Sequence, residues 1–290
     1  MRVSSRIMAE NIKSYLAKQS TALIETQTRI ATGKKINSLS DAPGDIGKVL
    51  DYRTTLSKIE QYQENITDAK TRVEYTETVL GQINDLVTDA LTIASNPDTE
   101  NREALALGVA NIRDQIAGLV NTKYAGSYLF HGDLTDTAPF DVTTGAYDAS
   151  AGSDGSHDVI VGENIQVTLQ ADGSDIFIES GDNLIEVLDD LEAALLADDD
   201  VAIAATVDPL YRIDDQLELV RSEFAAVYNR LEATEERWTS FSNAVETMRS
   251  DLEDTDVTAA AVDLQLQQTH YEVLLNVASQ VIQPTLLDFL

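Results

Sequence analysis

The sequence predicts a mainly α protein: an elongated bundle of long helices, coiled-coil in character, with a small β-rich insertion. Three observations predict it. Residues 210–252 carry a 3–4 apolar repeat: Leu210, Ile213, Leu217, Val220, Phe224, Val227, Leu231, Thr234, Trp238, Phe241, Val245, Met248 and Leu252. That spacing places all of them on one narrow seam of a helix roughly 65 Å long at about 1.5 Å per residue. Apolar residues recur by sevens in three further segments. Residues 131–181, by contrast, hold seven of the fourteen glycines and short β-branched runs. A rod of that length must meet other long helices, so the chain is built to span distance and assemble rather than to enclose a substrate.

The first helix is expected over about residues 3–31, from Ala9, Leu16, Leu23 and Ile30 at sevens with Ile12 and Tyr15 beside them. Its partner positions Gln19 and Thr26 are polar, so it is marginal alone and needs packing to complete it. Gly33 is a natural stop. Residues 33–47, GKKINSLSDAPGDIG, read as an irregular loop without a GxxxxGK[ST] phosphate pattern. A second helix over about 46–95 carries Tyr52, Ile59, Ile66, Val73, Leu80, Val87 and Ala94, with Tyr62, Ala69, Thr76, Ile83 and Ala90 as the second seam. Asn96-Pro97 ends it, because the residue before proline is pushed out of helical backbone. A third, about 100–124, places Leu105, Val109, Ile112, Ile116 and Leu119 on one face, and the short link makes it antiparallel to the second.

In the insertion, Val159–Val161, Ile165–Leu169 and Ile176–Ile178 read as strands, and Ala171-Asp172-Gly173-Ser174 as a hairpin turn. Leu184, Leu188, Leu191 and Leu195 then mark a short amphipathic helix, followed by an acidic bend at Asp198–Asp200 and the long rod. The last helix is expected over about 257–283. Val257, Leu264, Tyr271 and Ala278 form its seam, and Ala261, Gln268, Leu275 and Ile282 flank it. Thr255 or Asp256 is its cap, and Pro284 its end. The expected domains are 1–45 with 256–290 (terminal helices), 46–130 with 182–255 (helical rod) and 131–181 (β-rich insertion).

Twenty basic residues face fifty acidic ones, a net charge of −30. Such a surface repels nucleic acid and anionic membrane. The split is uneven: residues 1–72 carry 12 basic and 8 acidic groups, residues 73–290 carry 8 and 42. A solvated outer surface is the simplest reading. With no cysteine, disulfides, thiolate metal sites and a cysteine nucleophile are excluded. No run approaches the ~18 apolar residues of a membrane span. Arg2, Arg6, Glu10, Lys13 and Lys18 interrupt any secretory leader, so export would use a route without a cleaved signal.

Chemistry-bearing constellations are not found. His131, His157 and His270 are scattered, and no HExxH or CxxC occurs. Ser156-His157-Asp158 are adjacent residues that cannot converge as a triad and read as a turn. Asp198–Asp200 lacks the order of an EF-hand, leaving at most a weak calcium site. No metal, cofactor or enzymatic activity is expected. Trp238 reads as a core residue of the rod.

The termini are unusual. Residues 257–290 contain only Asp263, Glu272 and Asp288 as charged groups and end in QPTLLDFL. Chain ends are normally polar, and each large apolar side chain gains about 1.5–3 kcal/mol on burial. Either these residues pack on the chain's own bundle or they form an intermolecular surface; two terminal helices are too few to bury one another on all sides, which favours the second. The expected assembly residues are Leu16, Leu23, Ile30, Leu264, Tyr271, Leu275, Ile282, Leu286, Leu287, Phe289 and Leu290.

Several stretches resemble a known family. Arg29-Ile30-Ala31-Thr32-Gly33-Lys34-Lys35-Ile36-Asn37 with Ser40-Asp41-Ala42-Pro43 resembles the N-terminal signature of bacterial flagellins and their relatives. The opening MRVSSRIM, the run NTKYAGSYLF at 121–130, Pro139-Phe140, the stretch VIVGENIQVTLQADGSDIF and the ending QPTLLDFL are similar to the hook–filament junction subfamily. The likeness covers nearly the whole chain. It implies terminal helices beside a central channel, a helical body around them and an outward β insertion. It also implies export through the flagellar type III apparatus and an extracellular place in the flagellum. The implied partners are other copies of the chain in a ring, hook-associated protein 1, flagellin and a cytoplasmic export chaperone that shields the C-terminal helix. The strongly acidic body departs from the family pattern. A filament flagellin and a cytoplasmic coiled-coil adaptor are the alternative readings.

Overall fold

A computed structural model describes residues 2–38, 40–97, 100–131, 137–141, 157–169, 173–179 and 181–282. The elements run α1 (Arg2–Thr32), α2 (Ile46–Ser95), α3 (Arg102–Val120), β1 (Lys123–Tyr124), β2 (Ser127–Tyr128), β3 (His157–Gly162), β4 (Ile165–Leu169), α4 (Gly173–Phe177), β5 (Ile178–Glu179), β6 (Asp182–Asn183), α5 (Leu184–Ala197), α6 (Asp200–Glu253) and α7 (Val257–Ile282). Packing divides the chain into two units, residues 1–58 with 241–290 and residues 59–240. α2 and α6 contribute to both.

The unit of residues 59–240 holds the main core. Both expected seams of α2 face inward there: Ile59, Ile66, Val73, Leu80, Val87 and Ala94, with Ala69, Thr76, Ile83 and Ala90, are all buried. All of these but Ile59 and Thr76 join Val109 and Ile116 of α3, Leu184, Leu188 and Leu191 of α5, and Leu210, Ile213 and Leu217 of α6 in one cluster. A Cβ on Gly108 of α3 would lie 4.0 Å from Ile93 of α2, at the level expected for the antiparallel hairpin. α3 also pairs with α5, where Arg113 bonds Asp189 at 2.6 Å and Glu192 at 2.9 Å. Arg102 closes the other end on Asp198 and Asp200.

Several elements differ from their sequence reading. α3 stops at Val120, four residues early, because Asn121 turns its side chain to the Phe140 backbone, donating to its carbonyl at 2.9 Å and accepting from its N–H at 3.1 Å. The next residues form a hairpin, β1–β2, whose turn residues Ala125 and Gly126 both have positive φ (50° and 92°). Glycine tolerates that backbone and fits the twist of a two-residue hairpin. Ile176 and Phe177 lie in the helical turn α4 rather than in a strand. A strand would send these neighbours to opposite faces, whereas the turn buries both, with Phe177 edge-on to Phe130 at 5.4 Å. The turn expected at 171–174 lies partly outside the described residues; Gly173 opens α4. His157 and Asp158 belong to β3, not to a turn, and the Thr168 hydroxyl donates to the Asp158 carboxylate at 2.6 Å.

The rod begins ten residues before its repeat. Asp199 caps it, accepting from Val201 and Ala202 N–H, and the helix runs through Pro209 with Ile203 and Leu210 buried on either side. Its seam holds to Trp238, and beyond it one of its two positions shifts by one residue while Val245 and Leu252 stay inside. Val245 is buried and Ser242, Arg249 and Leu252 are half-buried, while Phe241 and Met248, expected inside, are 46% and 51% exposed. A straight α-helix drifts about 20° per heptad against a strict 3.5-residue repeat, so a seam this long walks around the axis.

Trp238 clamps the insertion. Its Nε1 donates to the Val161 carbonyl at 2.7 Å, and its ring lies 5.2 Å from Tyr62. Asn65 donates to the adjacent Ile160 carbonyl at 2.8 Å. A Cβ on Gly162 would come within 3.2 Å of both Trp238 Cζ2 and Ile165 Cδ1, so any larger residue there pushes the indole or Ile165 back by a few tenths of an ångström. Gly162→Ala is expected to cost about 1–3 kcal/mol through overpacking. Denaturant unfolding followed by the fluorescence of this lone tryptophan checks it; an unchanged midpoint would refute the clamp.

Candidate assembly interface

In the unit of residues 1–58 and 241–290, α1 and α7 lie side by side. Two contacts set their direction. Lys34 bridges Asp254 antiparallel, and Gln19 Nε2 donates to the Gln267 carbonyl at 3.3 Å. This register places Leu16 level with Tyr271, Leu23 level with Leu264 and Ala9 level with Ala278. Leu16, Leu23, Ile30, Leu264 and Tyr271 are accordingly half-buried, and Ala278 is buried. The polar seam positions foreseen on α1 are confirmed: Thr26 is buried and its hydroxyl donates to the Ala22 carbonyl at 3.0 Å.

On α7 the second seam position differs from expectation. Ala260, Gln267 and Leu274 turn toward α1, while Ala261, Gln268 and Leu275 turn away, Leu275 being 45% exposed. Both sets satisfy a 3–4 repeat with Val257, Leu264, Tyr271 and Ala278, and only the direction of α1 separates them. The side chain of Ile282 and residues Leu286, Leu287, Phe289 and Leu290 lie outside the described residues.

The structure adds a feature missing from the expected set. Val262, Leu266, Val273 and Val277 are between 43% and 63% exposed. At about 100° per residue they fall within roughly 60° of one another, on the side of α7 away from α1. α7 is thus apolar on two faces and α1 covers one. The outer face of α1 is mixed, with Lys13, Lys18, Glu25 and Arg29 in solvent beside exposed Ile7, Met8, Tyr15 and Ile24. The 4–7–4 spacing of the second stripe was visible in the sequence, but without the helix partner it could not be told from the seam.

The end of this pair is locked by the connecting segments. Gly33, at φ +71°, turns the chain out of α1. Lys35 N–H then donates to the Glu253 carbonyl at 2.7 Å and Thr255 N–H to the Gly33 carbonyl at 2.8 Å. Asp256, of the two cap candidates, caps α7 through Thr258 and Ala259 N–H. In the SLSDAP segment, Asp41 ties the loop by accepting from Asn37 N–H (2.9 Å), Ser38 N–H (2.7 Å) and the Ser38 hydroxyl (2.6 Å), which hold it below the ordinary aspartate pKa, the hydroxyl most of all.

Glu253 is the buried charge at this junction, its side chain 1% exposed. Lys34 and Arg53 both pair with Oε1, and Arg249 stands 3.8 Å from Oε2. Burial pushes the carboxyl pKa up, but the hydrogen bonds from Lys34 and Arg53 outweigh it and hold it below the ordinary glutamate value. No described group of three or more His, Cys, Asp or Glu residues could hold a metal, and no described helix is long and apolar enough to cross a membrane.

Because its folded pKa is depressed, Glu253 contributes stability that is present above the unfolded glutamate pKa of about 4.3 and is lost as pH falls through the folded value. Glu253→Gln is expected to cost about 1–3 kcal/mol at pH 7, below the ~3–5 kcal/mol of fully buried pairs, since Lys34 and Arg53 keep access to water. Urea unfolding at neutral and acid pH checks this: the wild-type advantage must shrink in acid, and an equal difference at both would refute the assignment.

Residues 3–135 match the family model of the bacterial flagellin N-terminal helical region, and residues 212–290 match that of the C-terminal helical region. The chain is 28% identical over 295 residues to flagellar hook-associated protein 3 of Escherichia coli (strain K12), covering 93% of each. It is 28% identical over 223 residues to the protein of the same name from Salmonella typhimurium, covering 72% of this chain and 68% of that one. Among solved structures it is similar to a flagellar hook-associated protein of Vibrio parahaemolyticus, with TM-score 0.68 and 24% identity, over 74% of this chain and 100% of that one. Bacillus cereus FlgL matches with TM-score 0.60 and 20% identity, over 69% of this chain and 99% of that one. At these identities the structural likeness is one of fold.

Proposed function

The chain belongs to the bacterial flagellin family, and we propose that it is the structural junction protein between hook and filament. Copies form a ring seated on hook-associated protein 1, and the ring carries the first flagellin subunits. The similarity to hook-associated protein 3 over 93% of the chain supports the junction over the filament itself. The observation that carries the assembly role is the two-faced α7: α1 covers one apolar stripe, and Val262, Leu266, Val273 and Val277 await a neighbour.

In this reading residues 1–45 and 256–290 are the assembly region, 46–130 and 182–255 the helical body, and 131–181 the outward insertion. The contact set is Leu16, Leu23, Ile30, Leu264, Tyr271, Leu275, Ile282, Leu286, Leu287, Phe289 and Leu290, joined by the second stripe. The seam residues set the α1–α7 pair and the stripe meets the next copy. The protein is exported through the flagellar type III apparatus, with a cytoplasmic chaperone shielding α7 until then. Its role is mechanical and requires no cofactor, metal or catalytic residue.

Each stripe residue gains about 1–2 kcal/mol on full cover, since part of its surface is already shielded. Leu266→Asp with Val273→Asp is expected to reduce incorporation into flagella at least ten-fold, and deletion of residues 283–290 to abolish filament attachment. Both should leave the thermal unfolding of residues 59–240 unchanged. Electron microscopy of strains carrying each variant decides it: hooks without filaments, with flagellin in the medium, support the reading, and normal filaments refute it.

A further inference from the structure

Residues 59–240 carry 37 acidic and nine basic groups. Eight of the nine cations are engaged. Lys70, Arg102, Arg113, Arg212 and Arg221 meet carboxylates, Arg230 donates to a carbonyl, and Lys123 and Arg237 lie over aromatic rings. Arg72 alone has no hydrogen bond, ion pair or ring contact among the described residues. It is also half-buried rather than free in solvent.

Arg72 lines a cleft of about 400 Å³ between α2 and the two hairpins, with Asn65, Asp68, Tyr124, Ser127 and Asp158. The two acids do not neutralise it. Asp158 is held by the Thr168 hydroxyl, and Asp68, one turn earlier on α2, makes no ion pair with it. Burial lowers the Arg72 pKa from its ordinary value, with only Tyr124 acting the other way. A guanidinium taken partly out of water without a counter-charge is unfavourable, and its planar fork matches a carboxylate two bonds at a time.

We propose that the Arg72 cleft is a carboxylate-binding site. The carboxylate is an acidic side chain of a neighbouring copy, because residues 59–240 of each copy present four acids for every base. A free small carboxylate has the same chemistry, and the test separates the two sources. The site rests on the unpaired cation and its cleft; the choice of a neighbouring copy as source rests on the assembly reading.

In dilute full-length protein, sodium acetate should shift the Arg72 Nε–H NMR resonance relative to sodium chloride at equal ionic strength. The engaged Arg102 should not shift. Arg72→Gln should leave thermal stability unchanged or raised while lowering incorporation into flagella about ten-fold or more, the worth of one fork pair, and Arg72→Lys should restore part of it. Acetate binding together with lost incorporation places the carboxylate on a neighbour. Acetate binding with normal incorporation upholds the site and overturns the neighbour as its source. No acetate-specific shift, with the resonance moving instead in Asp68→Asn, means Asp68 already occupies Arg72 and overturns the proposal. So does any resonance that chloride moves equally.

Discussion

A helix that is apolar on two separate sides is not covered by one partner, and α7 is such a helix. α1 lies along one side with Leu16, Leu23 and Ile30. On a second side, roughly 130° around the axis at about 100° per residue, Val262, Leu266, Val273 and Val277 remain in water. The seam they leave behind is itself weak. It contains Gln19, Thr26 and Gln267, and the Gln267 Oε1 is buried without a hydrogen bond. Unmet polar groups and uncovered apolar groups in one short helix pair both lower its stability alone. The apolar stripe would be covered by a surface laid along it, whereas the buried Gln267 Oε1 is a cost internal to the pair.

Residues 59–240 follow the opposite rule. α2 buries two seams instead of one, and α3, α5 and α6 close around them into a single apolar cluster. Most polar groups in this core have named partners, while Arg102 Nε and His131 Nε2 are buried without one among the described residues. The Asn84 amide donates to Asp214 at 2.7 Å and accepts from Arg221 at 3.3 Å, tying α2 to α6 at one register. The β3–β4 hairpin has too little apolar surface to stand alone. It is instead seated by Trp238 and Asn65, which meet backbone carbonyls of β3.

Charge plays two distinct roles. Most of the acidity is solvated surface and sets solubility rather than fold. Glu253 and Arg102 are buried, and Arg72 is half-buried. Glu253 has its counter-charges within the chain, and so joins the segment after α1 to the end of α6. Arg72 lacks them within the described residues.

Helix positions and the boundaries at Gly33, Asn96-Pro97 and Asp256 were legible in the sequence, because propensity, capping and apolar period are local properties of the chain. Most of the main seam of each long helix was legible for the same reason, but Phe241, Met248 and Val257, expected inside, are exposed. Which of Ala260 or Ala261, Gln267 or Gln268, Leu274 or Leu275 completes the α7 seam was not. Both choices satisfy the same period, and only the direction of α1 distinguishes them. The early end of α3, the turn at Ile176–Phe177 and the shift of the α6 seam past Trp238 were likewise decided by distant partners: the Phe140 backbone, the Phe130 ring, and the drift of a straight helix against its neighbours. Chain-local chemistry determined that this protein is built of long apolar-striped helices. Tertiary packing decided which stripe is spent inside the chain and which is left over, because burial is a relation between surfaces and not a property of either one.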